Sequence, residues 1–475
     1  MRNVMLRAAV IAMIAMQLAA CKIAPVQHAA AALPDPGCAA IRFKLAVRAP
    51  DADRSRRVTE SAMPSMVDPN DPLVRSLTQA YQAPAAAREP MGLDELAVPR
   101  TPVSPSMLLL SGGSQNGAFG AGFLDEWATL RRATGKAEGL PRFRVVTGIS
   151  TGALQATFAF LGHTDGAVAE YRIEREEQLL QPLSKGLQGK SVLGMVKGGL
   201  TIATKGTTAD LQPLRQTLHR LIDQTTLAAV AHEAQAGRRL FVGAVEMDSG
   251  EAYAFDLTAA ATRYMQGNSL MRECYIEALM ASSSVPMVAL PVFIDGQMYI
   301  DGGARFGVVT DFLADTLRLA TRGTSAENPG QMYVLINGTL DPGVKCNLKN
   351  CAENPLPPAQ PGSVPSHAKW SFDGLALRAL SVLISQSYRS SVYLARAEGE
   401  RNDFTFHFVR IGPDIADHQS TVDLPPEPVA SQTCDYWSKL DEKLDNPIEF
   451  HPRFMRCAID YGRTRAQAAH WEQFE

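Results

Sequence analysis

Gly148-Ile149-Ser150-Thr151-Gly152 is a G-x-S-x-G pentapeptide set between an apolar run at 143–147 and a helix-like run at 153–161. That strand-turn-helix setting is what a nucleophile elbow requires. Gly148 and Gly152 remove Cβ atoms where the turn is tightest, so Ser150 can take a strained backbone with Oγ exposed. The helix that follows directs partial positive charge at the reacting oxygen. The chemistry this suits is nucleophilic attack by a serine on an acyl carbon.

Attack of that kind needs donors for the oxyanion. Upstream, Leu108-Leu109-Leu110 runs into Ser111-Gly112-Gly113-Ser114-Gln115-Asn116-Gly117, and a helix-like run follows with Phe123, Leu124, Trp127 and Leu130 on one face. A glycine-rich turn at a helix N-terminus suits an anion, either a nucleotide phosphate or the oxyanion of acyl transfer. A phosphate loop wants Lys after the last glycine, where Ala118 stands. A dinucleotide site wants an acidic residue at the end of a second strand about 20 residues on, and 132–138 reads as a loop. The oxyanion reading is favoured. Downstream, Tyr299-Ile300-Asp301-Gly302-Gly303-Ala304 follows a β-rich run at 291–294 and the dipeptide Asp295-Gly296. Asp295-Gly296 is a hairpin turn signal. Asp301 then falls at the far end of the hairpin's second strand.

These three segments, in this order, resemble the patatin-like phospholipase family, whose pattern is a glycine-rich oxyanion loop, then G-x-S-x-G, then D-G-G or D-G-A. The resemblance covers roughly 105–307 well. Ala281-Ser282-Ser283-Ser284-Val285-Pro286 and the tail around Pro452-Arg453-Phe454 and Asp460-Tyr461-Gly462 are also similar to recurring family segments. It implies an α/β fold, a three-layer sandwich with a mostly parallel central sheet and a nucleophile elbow. It also implies a Ser-Asp dyad without histidine. Ser150 is then the nucleophile and Asp301 the base. The N–H groups of Gly112, Gly113 and Ser114, with that of Thr151, hold the oxyanion. The implied activity is lipid acyl hydrolysis through an acyl-enzyme, with no cofactor and no metal. One departure stands out: the family loop carries Arg or Lys where this chain has Asn116.

Two other functions fit parts of the pattern. An α/β-hydrolase triad would place a histidine after Asp301, and His407, His418, His451 and His470 are available. A lipid-binding envelope protein would keep the fold without the chemistry.

The N-terminus is a targeting segment. Arg2 and Arg7 precede an apolar stretch at 8–18, shorter than the ~20 residues of a membrane span. Leu18-Ala19-Ala20-Cys21 resembles a bacterial lipobox. That implies a signal peptide at 1–20 and lipidation of Cys21. With Lys22 rather than Asp next, it implies the outer membrane of a Gram-negative host. The expected partners are membrane lipids or a lipid-like ester. Net charge is −3 and no basic tract interleaves with aromatics, which excludes a nucleic-acid partner.

The elements that must position the site follow from periodicity. Strands are expected at 107–110, 143–147, 239–247 and 332–336, where apolar residues run without alternation, as in strands buried on both faces. A helix is expected over 210–222 with Asp210 as its cap, and a further strand over 404–409. An amphipathic helix is expected over 375–397 with Leu377, Leu380, Leu383 and Ile384 inward. The division of the chain is a tether and loosely ordered arm at 21–104, holding one strand candidate at 41–47, a catalytic core at 105–340, and a C-terminal extension at 341–475. Within an insert at 181–208, residues 192–197 fit either lipid contact or core packing, and core packing is favoured. The compartment permits disulfides. Cys346 with Cys351 and Cys434 with Cys457 are the candidate pairs, and Cys274 reads as a buried free thiol.

Overall fold

A computed structural model describes residues 37–45, 72–82, 103–136, 139–183, 207–310, 330–340, 372–424, 430–468 and 471. Cys21, the Cys346 and Cys351 pair, residues 192–197 and His470 lie outside them.

The central sheet holds nine strands among the described residues. In chain order the strands of this sheet and of a separate three-stranded one are β1 (Arg42–Lys44), β2 (Ser104–Leu110), β3 (Phe143–Ile149), β4 (Gln181–Pro182), β5 (Thr207–Asp210), β6 (Arg239–Glu246), β7 (Ala252–Asp256), β8 (Met287–Ala289), β9 (Val292–Ile294), β10 (Gln297–Asp301), β11 (Gln331–Ile336) and β12 (Thr405–Arg410). The sheet runs β1-β7-β6-β3-β2-β11-β12, with β10 paired to β6 and β9 paired to β10. From β6 to β12 the neighbours are parallel, and β1, β7, β9 and β10 join antiparallel. Strands β4, β5 and β8 form a small separate sheet. The fold is therefore α/β with a mostly parallel central sheet.

The helices are α1 (Pro72–Gln82), α2 (Gly117–Ala133), α3 (Thr151–Leu161), α4 (Thr164–Tyr171), α5 (Gln212–Leu221), α6 (Gln224–Gln235), α7 (Leu257–Met265), α8 (Leu270–Ser283), α9 (Phe372–Arg401), α10 (Cys434–Leu444) and α11 (Pro452–Gln467). They cover both faces of the sheet. Leu108, Leu110, Val146, Leu240, Val242 and Leu335 point into one core with Phe119, Phe123, Phe160 and Tyr275 from the helices. Met107, Leu109, Val145, Phe241, Val334 and Ile336 point into the other, with Leu73, Leu77, Tyr388 and Val392 from α1 and α9. Side chains alternate across a strand, so two buried faces require the unbroken apolar runs of the sequence.

Four expectations need correction. The 21–104 arm holds more order than its one strand candidate: the strand expected within 41–47 is β1, paired with β7, and in addition α1 buries Leu73 and Leu77. Local periodicity is weak there because these pieces are held by distant partners. Cys274 is not a free thiol but is bonded to Cys38 across 236 residues, a pairing that spacing does not reveal. Among the described residues Cys434 and Cys457 form the other bond, as expected. Leu383 does not face inward: it is 67% exposed, while Ile384 packs partly against the second core and Tyr388, Val392 and Ala395 carry the buried face. Asp210 is not the helix cap. It ends β5 and accepts a hydrogen bond from the Gln212 N–H at 2.9 Å, while Leu211 stands at the cap position of α5.

The hairpin is as expected. Asp295 and Gly296 both have positive φ, 50° and 76°, between β9 and β10. Asp295 also accepts the Cys38 N–H at 3.0 Å.

Candidate active site

Ser150 sits between β3 and α3 with φ 54° and ψ −126°. This is a costly backbone for a residue with a Cβ, and the surroundings enforce it. A Cβ on Gly152 would come within 2.5 Å of the carbonyl oxygens of Leu110 and Ser111, and one on Gly148 within 2.3 Å of the Gly152 oxygen. Only glycine lets β2, β3 and α3 approach so closely. The Ser150 N–H donates to Ser282 Oγ at 2.9 Å, and Ser282 Oγ donates to the Gly243 carbonyl at 2.7 Å. The turn is thus pinned to α8 and β6.

Asp301 reaches Ser150 through the register of β6. The first half of β6 pairs with β3, ending at Gly243 opposite Ile149. Its second half pairs with β10, beginning at Ala244 opposite Asp301. The two ends converge because one strand exchanges partners between adjacent residues. The Asp301 N–H donates to the Ser284 carbonyl at 2.9 Å. The serine run at 282–284 therefore ties both halves of the site together, a function its sequence alone did not disclose.

The Asp301 side chain is 4% exposed. Oδ1 accepts the Gly303 N–H at 2.7 Å, and Oδ2 is buried without a partner of full hydrogen-bond geometry. Burial pushes its pKa up to about 7, against smaller opposing effects from the Ser150 hydroxyl and the Gly303 N–H. A carboxylate poised near neutrality is a far better proton acceptor than one near 4.

The glycine loop is clamped at the end of β11. Gly113 has φ 152°, and a Cβ there would lie 1.6 Å from the Asn337 carbonyl oxygen. Asn337 donates its N–H to Ser111 Oγ at 2.8 Å and its Nδ2 to the Ser111 carbonyl at 2.9 Å and Gln155 Oε1 at 3.1 Å. Gln155 Nε2 in turn donates to the Gly117 carbonyl. Asn337 escaped sequence reasoning because no local motif marks it. Asn116 follows the loop and donates its N–H to the Gly113 carbonyl at 3.0 Å.

Ser150 and Ser114 open onto an apolar cavity lined by Leu154, Phe158, Leu214, Leu218 and Val285. Three of the four candidate triad histidines lie among the described residues, and each has a partner outside the Ser150 and Asp301 pair. His407 stacks on Tyr333 with centroids 4.5 Å apart. His418 contacts Asp460 at 3.1 Å, and His451 contacts Gln115 at 3.0 Å. Among the described residues no group of three acidic, histidine or cysteine side chains is placed to hold a metal. A preorganised serine, a desolvated carboxylate and a glycine loop beside an apolar cavity suit acyl transfer.

A model of the family described as Patatin-like phospholipase matches residues 108–314. That span takes in the glycine loop, Ser150 and Asp301. No curated protein matches the chain. Among solved structures, the crystal structure of VipD from Legionella pneumophila aligns at 11% identity over 79% of this chain and 68% of that chain, with a TM-score of 0.27.

Proposed function

We propose that this chain, a patatin-like phospholipase over residues 108–314 and so one of a family of serine carboxylic-ester hydrolases, cleaves acyl esters of membrane lipids with Ser150 as nucleophile and Asp301 as base. The observation that carries the assignment is the Asp301 carboxyl, pushed up to about 7 by burial, beside the strained Ser150 that lines an apolar cavity. In acylation Ser150 Oγ bonds to the acyl carbon and its proton passes to Asp301. The oxyanion is held by the N–H groups of Gly112, Gly113 and Ser114, with that of Thr151 alongside. Asp301 returns the proton to the leaving alcohol as the ester bond breaks. Water then attacks the acyl-enzyme with the same carboxylate as base. The acyl chain lies along Leu154, Phe158, Leu214 and Leu218, where each buried CH₂ contributes about 0.8 kcal/mol.

The test is hydrolysis of esters of graded chain length, presented free and in vesicles. Rates rise with chain length and rise again at an interface. Preference for short soluble esters, with no activity on any lipid aggregate, overturns the lipid assignment.

The same proposal places the enzyme in the bacterial envelope, facing the periplasm or cell surface, tethered through Cys21 in Leu18-Ala19-Ala20-Cys21. Among the described residues no helix is long and apolar enough to cross a membrane. A lipid tether would raise the effective concentration of the enzyme at its substrate. Metabolic labelling with a radioactive fatty acid should mark the parent and spare Cys21→Ser. Equal labelling and membrane association of the two would refute the tether.

A further inference from the structure

A tyrosine from outside the three motifs reaches the catalytic centre. Tyr388 lies on α9, is 7% exposed, and turns its hydroxyl toward both members of the dyad. A methyl group built on Gly112 would meet Tyr388 Oη at 2.4 Å and Ser150 Cβ at 3.0 Å. A methyl built on Gly303 would meet Asp301 Oδ1 at 3.0 Å and Tyr388 Oη at 3.2 Å. The phenol oxygen therefore sits between the glycine loop and the Asp301 turn. Larger residues at either glycine would close that space.

The helix is held at this depth by the segment that follows Asp301. Ser387 Oγ donates to the Arg305 carbonyl at 3.0 Å, and Ser391 Oγ accepts the Gly307 N–H at 2.8 Å. A Cβ on Gly307 would lie 2.7 Å from the Tyr388 Cα. Small groups one residue before and three residues after Tyr388 fix the helix against 305–307, so the ring's position is tied to that of Asp301. Burial and the Asp301 charge both push the phenol pKa up from its ordinary value. The group stays a donor over the working pH range and does not act as an acid or base.

Resting on the Ser150 and Asp301 assignment, we propose that Tyr388 is a third catalytic residue, whose hydroxyl donates a hydrogen bond to the water that Asp301 activates in deacylation. Once Ser150 is acylated its Oγ has no proton to share, and the buried Asp301 Oδ2 is left without a hydrogen-bond partner. A water bound there needs more than one polar partner to be held in place. Asp301 supplies an acceptor and Tyr388 a donor on its other side. The water oxygen bonds to the acyl carbon as its proton passes to Asp301. The bond from the acyl carbon to Ser150 Oγ then breaks, Asp301 returns the proton to Oγ, and the carboxylic acid departs. Acylation needs no such water, so Tyr388 matters to the second half-reaction alone.

Pre-steady-state hydrolysis of a chromogenic fatty-acyl ester separates the two halves. In Tyr388→Phe the acylation burst and fluorophosphonate labelling of Ser150 stay within about threefold of the parent. Steady-state turnover falls about 10- to 100-fold, the loss of one hydrogen bond to a reacting group. Intact mass then shows the acyl-enzyme accumulating. Hydroxylamine, which attacks acyl-enzymes with little help from a base, brings variant turnover back toward the parent's. Tyr388→Met, an apolar filler without a donor, gives the same pattern and guards against a packing artefact of the ring. Burst and turnover falling together, or neither falling, overturns the proposal. Absence of labelling at Ser150 in the parent itself would instead overturn the dyad.

Discussion

Ester hydrolysis is expected to fall roughly ten-thousand-fold or more in Ser150→Ala and in Asp301→Asn, with the double variant little worse than either, because the two groups act as one unit. Asp301→Asn is the more telling variant. Burial raises the carboxyl from its ordinary value to about 7, so the folded protein holds a proton that the unfolded chain has lost. The favourable contribution is full below the unfolded pKa near 3.9 and declines as pH rises toward about 7; above that, the fold carries a buried charge. At about 1.4 kcal/mol per unit the cost reaches a few kcal/mol. Asn keeps the shape and an acceptor for the Gly303 N–H without the charge. The inactive variant is therefore expected to melt at or above the parent at pH 8, with the advantage gone near pH 4. Activity of the parent rises with pH through about 7 as the base ionises. His407→Ala, His418→Ala and His470→Ala keep most activity. His451→Ala costs more, because His451 contacts Gln115 in the oxyanion loop, yet far less than the dyad variants. A folded histidine variant as inactive as Ser150→Ala would replace the dyad with a triad. An Asp301→Asn variant that melts well below the parent at pH 8 would mean its inactivity reports misfolding.

Gly113→Ala is expected to lower kcat by about a hundred- to a thousandfold, the usual cost of losing an oxyanion donor. The added methyl would sit 1.6 Å from the Asn337 backbone oxygen, and φ of 152° disfavours any side chain. Backbone cannot yield as a flexible side chain does. The loop must move off β11, and the N–H groups of Gly113 and Ser114 move with it. The KM for the ester should change less than kcat, since the apolar cavity proposed for the acyl chain is lined by α3 and α5. Asn337→Ala is the graded companion. It leaves the backbone oxygen in place but removes the Nδ2 bonds to Ser111 and Gln155, so a smaller kcat loss follows. Equal kcat values for Gly113→Ala and the parent would show that this loop does not hold the oxyanion.

The sequence by itself determined the parts of this protein whose physics is local. A serine forced into a positive-φ turn needs small neighbours, so Gly148 and Gly152 announce Ser150. An anion-binding turn needs free N–H groups, so Gly112-Gly113 announces the loop. Strands buried on both faces need unbroken apolar runs, and those at 107–110, 143–147 and 332–336 lie within β2, β3 and β11. The type of the fold follows from such signals.

Tertiary structure alone decided what depends on distant partners. Asp301 and Ser150 are 151 positions apart in sequence, and they meet because β6 gives up β3 for β10 between Gly243 and Ala244. Asn337 clamps the loop from the end of β11, Ser282 pins the elbow from α8, and Cys38 finds Cys274 from inside the arm. Tyr388 was hidden by its helix. Hydrophobic periodicity there drew attention to leucines, one of which, Leu383, faces outward. The buried face was set instead by small groups at Gly307, Ser387 and Ser391 that let α9 settle onto the Asp301 turn. Contacts such as these leave no local signature, because each needs only one ordinary residue placed correctly by the rest of the chain.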